Sequence, residues 1–255
     1  MLALNYVKKS SDMKFIGLVF RGILLQIFLF SPALSQQFTD STRYIENIRS
    51  LHKIYLDAIS DNAQIYHGIE YIRNGRKVMG FPFFESENML SGNVIYQGNL
   101  YSDIELYYDL VSDALVIKNY AKNSLVTLSP DKIDSFQIGN HIFYPLAIQS
   151  SNGSTGQNSY YEQLLPGNPG FFVKRTKVLF VPSGADDIKY VQYDNYFIRL
   201  NNVYYKIEGE NALLEVLKDR EDALKKYIRS NKLNFKKRPE SSMVLTTKYY
   251  SLLKH

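Results

Sequence analysis

Tyrosines and carboxylates are concentrated in residues 92–113, where their types and spacing could bind a ligand or a metal ion. They include Tyr101, Asp103, Glu105, Tyr107, Asp109 and Asp113. Clustered carboxylate oxygens suit Ca²⁺, and a carboxylate pair about 5 to 9.5 Å apart across a cleft can hydrolyse glycosidic bonds. The calcium-loop pattern D-x-[DN]-x-[DN]-G is absent, because residues 103–107 alternate as a strand does and contain no glycine. A glycan-hydrolase site stays open as an alternative and needs a cleft.

The alternation of this segment gives the same residues a structural interpretation. One face is predicted to meet the core and collects Leu100, Ser102, Ile104, Leu106 and Tyr108. The other face is predicted to meet solvent and collects Tyr101, Asp103, Glu105, Tyr107 and Asp109. Aromatic residues in such a row stabilise the sheet as cross-strand pairs, and an exposed row can also contact a partner. We therefore predict the second row as an interaction surface that tolerates alanine at its tyrosines.

A second candidate contact is a basic run, Lys236, Lys237 and Arg238, between two predicted helices. Charged runs of this kind are commonly solvated turns. Basic clusters also attract anionic lipid headgroups and lipopolysaccharide, so contact with such a surface is the alternative.

Other catalytic signatures are missing from the chain. No HExxH motif occurs, and the four histidines are interpreted as packed or surface residues: His52, His67, His141 and His255. Residues 153–156 do not match the G-x-S-x-G elbow and are predicted to lie in a flexible loop. Without cysteine, the chain lacks disulfides, thiolate nucleophiles, thiolate metal sites and lipid attachment through an N-terminal cysteine. We predict no catalytic residue, no metal site and no cofactor, and hence no enzyme.

The N-terminal residues predict export. Three lysines precede residues 15–30, which are almost wholly apolar, and "SPALSQQF" follows. This order is typical of a signal peptide over residues 1–35, with cleavage between Ser35 and Gln36. Met13 is a second candidate for the start codon beside Met1.

An uncleaved membrane anchor is the alternative for this segment. Its sixteen mostly apolar residues, which include Arg21, fall short of the roughly 20 residues that a spanning helix needs. No later segment is apolar for that length. We therefore expect a periplasmic or extracellular protein with no transmembrane span after cleavage.

Charge is distributed unevenly. The formal net charge of the whole chain is +5, yet residues 36–217 carry about −5, because residues 218–255 carry +7 and the first 35 residues +3. A nucleic-acid-binding protein needs a basic face on its folded domain, so we predict no nucleic-acid partner.

The elements that position these residues are predicted from periodicity. Residues 36–62 contain a first helix over 41–60, whose apolar residues recur at three- and four-residue spacings. Residues 64–207 are predicted to form an antiparallel meander of about 10–12 strands in a curved or split sheet. Its candidate two-residue turns are Gly98-Asn99, Gly139-Asn140, Asp194-Asn195 and Asn201-Asn202. Its candidate strands include residues 64–71, 114–119, 159–165 and 203–207.

The chain is predicted to end in a helical tail, residues 210–255, of two to three helices. A break is expected near Lys218, a helix end at Asn231 and a last helix from Pro239. That last helix is expected to bury Val244, Leu245, Tyr249 and Leu252. The fold class is thus mainly β (α+β), as one mature domain over residues 36–255.

Several segments resemble a group of exported Bacteroidota proteins of unknown function. They are "YHGIEY" (66–71), "GFPFF" (80–84), "GNVIYQGNLYSDIELYYDLVSDALVI" (92–117), "YYEQLLPG" (160–167), "VKRTK" (173–177) and "LLEVLKDREDALKKYIRSNKLNFKK" (213–237). The resemblance implies a signal-bearing, envelope-located β protein. It carries no functional residue to this chain.

Three functions follow as hypotheses. The first is a non-enzymatic envelope protein that contacts a protein partner. The second is a binding module for a lipid or another apolar ligand in a curved-sheet cavity. The third is a glycan hydrolase, which needs two carboxylates from different strands that converge in a cleft.

Overall fold

The computed structural model describes residues 64–73, 78–120, 122–148, 158–182 and 188–254. The predicted signal peptide, the Ser35–Gln36 cleavage site and the helix over 41–60 lie outside the described residues.

The described residues form an open, mainly antiparallel sheet of eleven strands followed by three α-helices. The strands are β1 (Ile69–Glu70), β2 (Leu90–Tyr96), β3 (Asn99–Asp109), β4 (Ala114–Asn119), β5 (Ser124–Thr127), β6 (Ile133–Ile138), β7 (His141–Leu146), β8 (Ser159–Leu165), β9 (Gly170–Phe180), β10 (Lys189–Leu200) and β11 (Val203–Ile207). The helices are α1 (Glu210–Val216), α2 (Glu221–Ser230) and α3 (Pro239–Leu252). Short 3₁₀ turns cover Gln64–Tyr66, Pro130–Lys132 and Lys218–Arg220. This architecture confirms the predicted fold class.

The order of the strands differs from a simple meander. It runs β1-β5-β4-β3-β2-β6-β7-β8-β9-β10-β11, so the chain leaves β5 and returns on the far side of β2. β7 and β8 pair directly, which keeps the sheet in one piece across residues 147–158. The prediction of a strand over residues 64–71 is wrong. Residues 64–66 form a 3₁₀ turn, and β1 has only the two residues Ile69 and Glu70.

The sheet is strongly curved. In its strand order β3 and β8 are four positions apart, which is about 19 Å in a flat sheet. The rings of Tyr108 on β3 and Tyr160 on β8 nevertheless lie 5.7 Å apart. The backbone N–H of Lys177 on β9 also donates to the carbonyl of Leu110, just after β3, at 3.0 Å. The strands therefore wrap around a shared interior.

One predicted turn is absent, one is displaced by a residue from Gly98-Asn99 to Gln97-Gly98, and another is confirmed in detail. β10 runs without a break through Asp194 and Asn195, which pair with β9. Asn201 and Asn202 have φ of +51° and +64° and join β10 to β11. Asparagine tolerates this left-handed backbone better than most residues, and it is the geometry of the tightest hairpins.

A β-bulge in β3 reverses the faces predicted for its first half. Gly92 pairs with Ile104 and Val94 with Tyr101, so Ser102 and Asp103 together oppose a single residue of β2. Asp103 adopts a φ of +56°. Tyr101 consequently turns to the core side and is buried, whereas Leu100 turns outward and is exposed. The predicted alternation is wrong before the bulge and holds after it.

The left-handed backbone at Asp103 is testable. Asp103→Val should lower the free energy of unfolding by about 1 to 2 kcal/mol, because a β-branched residue is strained at positive φ. Asp103→Gly should be neutral or slightly stabilising. Urea unfolding monitored by circular dichroism measures both.

A matched control is Glu105→Val, two residues along the same exposed face of β3. It should cost less than Asp103→Val because its backbone is ordinary strand. Equal losses for the two valine variants would contradict the bulge.

The three helices cover the core side of the last strands. Their buried residues pack with Phe171 of β9, Ile198 of β10 and Ile207 of β11. The predicted break near Lys218 is confirmed as a 3₁₀ turn, and α3 begins at Pro239 as predicted.

The buried face of α3 differs from the prediction. It consists of Ser242, Met243, Thr246, Thr247 and Tyr250. Of the four predicted residues, Val244 and Tyr249 are partly buried against the core, while Leu245 and Leu252 are exposed. The threonine hydroxyls donate to carbonyls one turn back, at 2.8 Å, so these polar residues lose no hydrogen bond on burial. Within the described ranges no helix is both long and apolar enough to cross a membrane.

Candidate functional site

The predicted row on β3 does not form one exposed surface. Tyr107 and Asp109 do face away from the core, but residues 71–73 and 78–83 cover them, and both are buried. Tyr101 lies on the other face. Asp103 and Glu105 remain exposed. The expectation that Tyr101 and Tyr107 tolerate alanine as a solvent-facing pair is therefore wrong, since each is more than nine-tenths buried.

These two stretches, residues 71–73 and 78–83, which we call the covering segment, bring new residues to Tyr107. Phe83 stacks on the Tyr107 ring with centroids 4.0 Å apart. The guanidinium carbon of Arg73 lies 5.0 Å from the Phe83 centroid and 4.8 Å from that of Tyr107, and Arg73 also donates to the Tyr107 hydroxyl. Lys177 of β9 binds the covering segment by donating to the carbonyls of Phe81 and Phe83, at 3.1 and 2.6 Å.

Asp109 is fully engaged by its surroundings. One carboxylate oxygen accepts from the backbone N–H groups of Val111 and Ser112, at 2.8 and 3.2 Å. The other accepts from the Tyr71 hydroxyl at 2.8 Å. Burial, followed by this hydrogen bond, raises the pKa of Tyr71, so its phenol stays protonated and keeps donating. Asp109 thus holds the covering segment and the β3–β4 turn in place.

A cleft opens between this covering segment and the β9–β10 hairpin. Its volume is about 360 Å³. Its walls include three aromatic rings, from Tyr71, Phe81 and Tyr190. Its polar lining includes Arg73, Glu87, Asp109 and Ser112. This volume lies at the lower end of the range of small-molecule pockets.

The outer half of the β9–β10 hairpin carries exposed apolar side chains, and we call it the apolar arm (residues 176–181 and 189–193). Val178, Leu179, Phe180, Val181 and Tyr193 are between 37% and 63% exposed. The strand register places Val178 beside Val191, and Leu179 beside Tyr190 of the cleft. Both faces of the arm are therefore partly apolar.

The basic run lies where the sequence predicts it, in the turn between α2 and α3. Lys236, Lys237 and Arg238 are exposed, and the side chain of Asn234 accepts from the backbone N–H groups of the two lysines. None of these three residues lines the cleft.

Sequence reasoning missed a buried ionic cluster under α3. Arg175 of β9 contacts three carboxylates: Glu162 at 2.5 Å, Asp194 at 3.1 Å and Glu240 at 3.0 Å. Glu162 also meets Nδ1 of His141 at 2.5 Å. The three acids come from β8, β10 and α3, so no local motif could signal the cluster.

Aromatic rings fill the interior of the curved sheet. Tyr108, Phe136, Phe143 and Tyr160 form ring contacts between 4.7 and 5.7 Å. A separate groove of about 930 Å³ lies beside the edge strand β11 and the outer side of α1. It is lined by Tyr161, Phe197 and Tyr204, among others.

Among the described residues, no group of three or more histidine, aspartate or glutamate side chains is arranged to hold a metal ion. No protein-family model, curated protein or solved structure matches the chain. The arrangement of its own side chains therefore carries the functional argument.

Proposed function

We propose that this is an exported, non-enzymatic protein of the cell envelope that binds a protein partner through the apolar arm. The observation that carries the proposal is the exposure of five large apolar or aromatic side chains on that arm. Apolar side chains grouped on one exposed part of a folded protein typically mark an interaction site, because exposing them to water is unfavourable. Export and the likeness to Bacteroidota envelope proteins are part of the same proposal.

The two alternatives fit the geometry less well. A lipid carrier needs open space inside the curved sheet, and aromatic rings occupy that space. A glycan hydrolase needs two available carboxylates in a cleft, and Asp109 already accepts three hydrogen bonds.

The proposal is tested by site-specific photo-crosslinking in cells that express the full chain. A photoreactive phenylalanine analogue at Phe180 should yield a discrete adduct with one protein, because this exposed aromatic side chain belongs to the proposed contact. Leu100 is the matched control, since both residues are 45% exposed. Mass spectrometry then identifies the adduct.

Phe180→Asp should abolish the adduct formed by a probe at neighbouring Val178, whereas Leu100→Asp should leave it unchanged. Equal adducts at positions 180 and 100 would contradict a specific contact. N-terminal sequencing of the mature protein tests export, with Gln36 as the expected first residue. A chain retained whole in the cytoplasm would refute the envelope location.

A further inference from the structure

The cleft between the covering segment and the apolar arm takes Leu179 and Tyr190 from the arm, but the rest of its lining lies outside the proposed protein contact. It combines aromatic faces with hydrogen-bonding groups of both kinds. Tyr71, Phe81 and Tyr190 supply the rings, and Arg73, Glu87 and Ser112 supply donors and acceptors. We propose that this cleft binds one ring of a neutral sugar, as a free saccharide or as a unit of a glycan.

The aromatic walls select a ligand with an apolar face. The C–H groups on each side of a pyranose ring carry slight positive charge, and the π-face of an aromatic ring is negative. A sugar ring can therefore pack against Tyr190 or Phe81 while its hydroxyls point toward the polar groups. The volume of about 360 Å³ suits one or two rings of this size.

The polar lining matches hydroxyl groups, each of which both donates and accepts. Glu87 accepts, Arg73 donates, and Ser112 does either. Arg73 is held over Phe83 and Tyr107, so its position is set before a ligand arrives. Preorganised groups of this kind lose little freedom on binding.

The charges around the cleft favour a neutral ligand. Arg73 and Glu87 carry opposite charges in the same lining. Asp109 is offset by Lys177: burial lowers the pKa of Lys177, and the negative charge of Asp109 opposes that shift. The sum is zero, so a carboxylated or aminated sugar gains no net attraction.

The same geometry limits the cleft to binding. Glycoside hydrolysis needs a pair of carboxyl groups about the scissile bond. In the described lining Asp109 is committed to Tyr71, Val111 and Ser112, which leaves Glu87 as the available carboxylate. A bound sugar should therefore be released without hydrolysis.

The test uses saturation-transfer NMR and calorimetric titration of the full mature protein. The probes are glucose, galactose and N-acetylglucosamine, with glucuronate and glucosamine as charged comparators. We expect the protein to bind at least one neutral sugar, and to bind it more tightly than either charged sugar. Tyr190→Ala and Glu87→Gln should each weaken binding about tenfold.

Tyr205→Ala, which removes an exposed tyrosine from β11, is the matched control and should not change the affinity. Near-native circular dichroism of every variant verifies folding, and Glu87 is exposed, so its variant tests the site without disturbing the core. The proposal is overturned if no neutral sugar binds, if both cleft variants bind as the native protein does, or if a charged sugar binds more tightly. None of these results alters the crosslinking expected at Phe180.

Discussion

Replacing Arg175 with methionine should lower the free energy of unfolding by about 3 to 5 kcal/mol. Arg175 is 8% exposed, and its guanidinium contacts Glu162, Asp194 and Glu240. Methionine preserves much of the side-chain volume but leaves these acids without their shared cation. Chemical unfolding followed by circular dichroism measures the loss.

The size of this effect comes from the uncompensated charge. Burial disfavours the charged guanidinium, but its hydrogen bond to Glu162 and the attraction of all three acids outweigh that penalty and raise the pKa of Arg175. The arginine is therefore cationic at any pH at which the protein folds. Removing one partner of a buried ion pair costs more than the pair contributes, because the remaining charge stays desolvated.

Arg175→Lys should recover part of the loss and no more. A lysine ammonium is a compact charge, whereas the guanidinium fork directs separate N–H groups to Glu162, Asp194 and Glu240. The contact with Glu240 joins β9 to the first turn of α3. Hydrogen exchange should therefore accelerate in α3 when Arg175 is replaced.

A double-mutant cycle isolates the charge from the packing. Glu162→Gln in the Arg175→Met background should restore stability, because it removes the most buried of the orphaned charges. Lys206→Met, which breaks the exposed Lys206–Glu208 pair, is the control and should leave stability unchanged within error. If Arg175→Met behaves like this surface variant, the cluster does not hold α3.

Local patterns predict most of the strands because strand alternation is a local property. The bounds predicted for β4, β8 and β11 match the structure residue for residue. The turn at Asn201-Asn202 is equally local, since it depends on the backbone tolerance of two asparagines. By contrast, Asp194-Asn195 has the same local signal but lies within β10, where eleven residues of β9 pair with it.

Residues far apart in sequence decide the candidate sites, which explains why the sequence predicts them poorly. The bulge at Asp103 depends on how β2 pairs with β3, and it moves Tyr101 from one face to the other. Burial of Tyr107 on β3 depends on Phe83 and Arg73, which lie before β2 in the sequence. The "GFPFF" run (80–84) does carry a local signal for this burial. An apolar segment without strand or helix periodicity is expected to pack its side chains against another part of the protein.

The cleft and the apolar arm share a physical origin. The covering segment bridges β3 and β10, through Phe83 opposite Asp109 and Met79 opposite Lys189. It thereby pairs with the outer end of β10 at Lys189, while the side chains of residues 178–181 stay partly exposed. A partner bound to the arm would lie beside Tyr190, where the cleft opens.

Raising the pH above about 10.5 should unfold the protein through its buried tyrosines. Burial is the largest cause that raises the pKa of Tyr108 and Tyr160, followed for both by the negative charge of Asp113. A raised pKa in the folded state means that the unfolded chain releases protons first, from a pKa near 10. The stability that these tyrosines contribute is present below that value and is lost as the pH rises.

Two lysines act in the opposite direction over a lower range. Burial lowers the pKa of Lys174 and of Lys177, so folding gains stability as the pH approaches the unfolded lysine value of about 10.5. Above that pH the lysines add no further stability, while deprotonation of the tyrosines continues to lower the free energy of unfolding. Two buried phenols then remove about 3 kcal/mol for each pH unit.

Urea unfolding at pH values from about 8 to about 12 measures this slope, and tyrosinate absorbance should rise together with the loss of circular dichroism. Tyr108→Phe should make the slope shallower, even though it deletes the 2.7 Å hydrogen bond to Asp113. Phe143→Leu disturbs the same cluster without removing a phenol, so it should lower stability at every pH and keep the native slope. Because the two variants separate proton release from packing, an identical slope in both would show that the buried tyrosines do not set the alkaline limit.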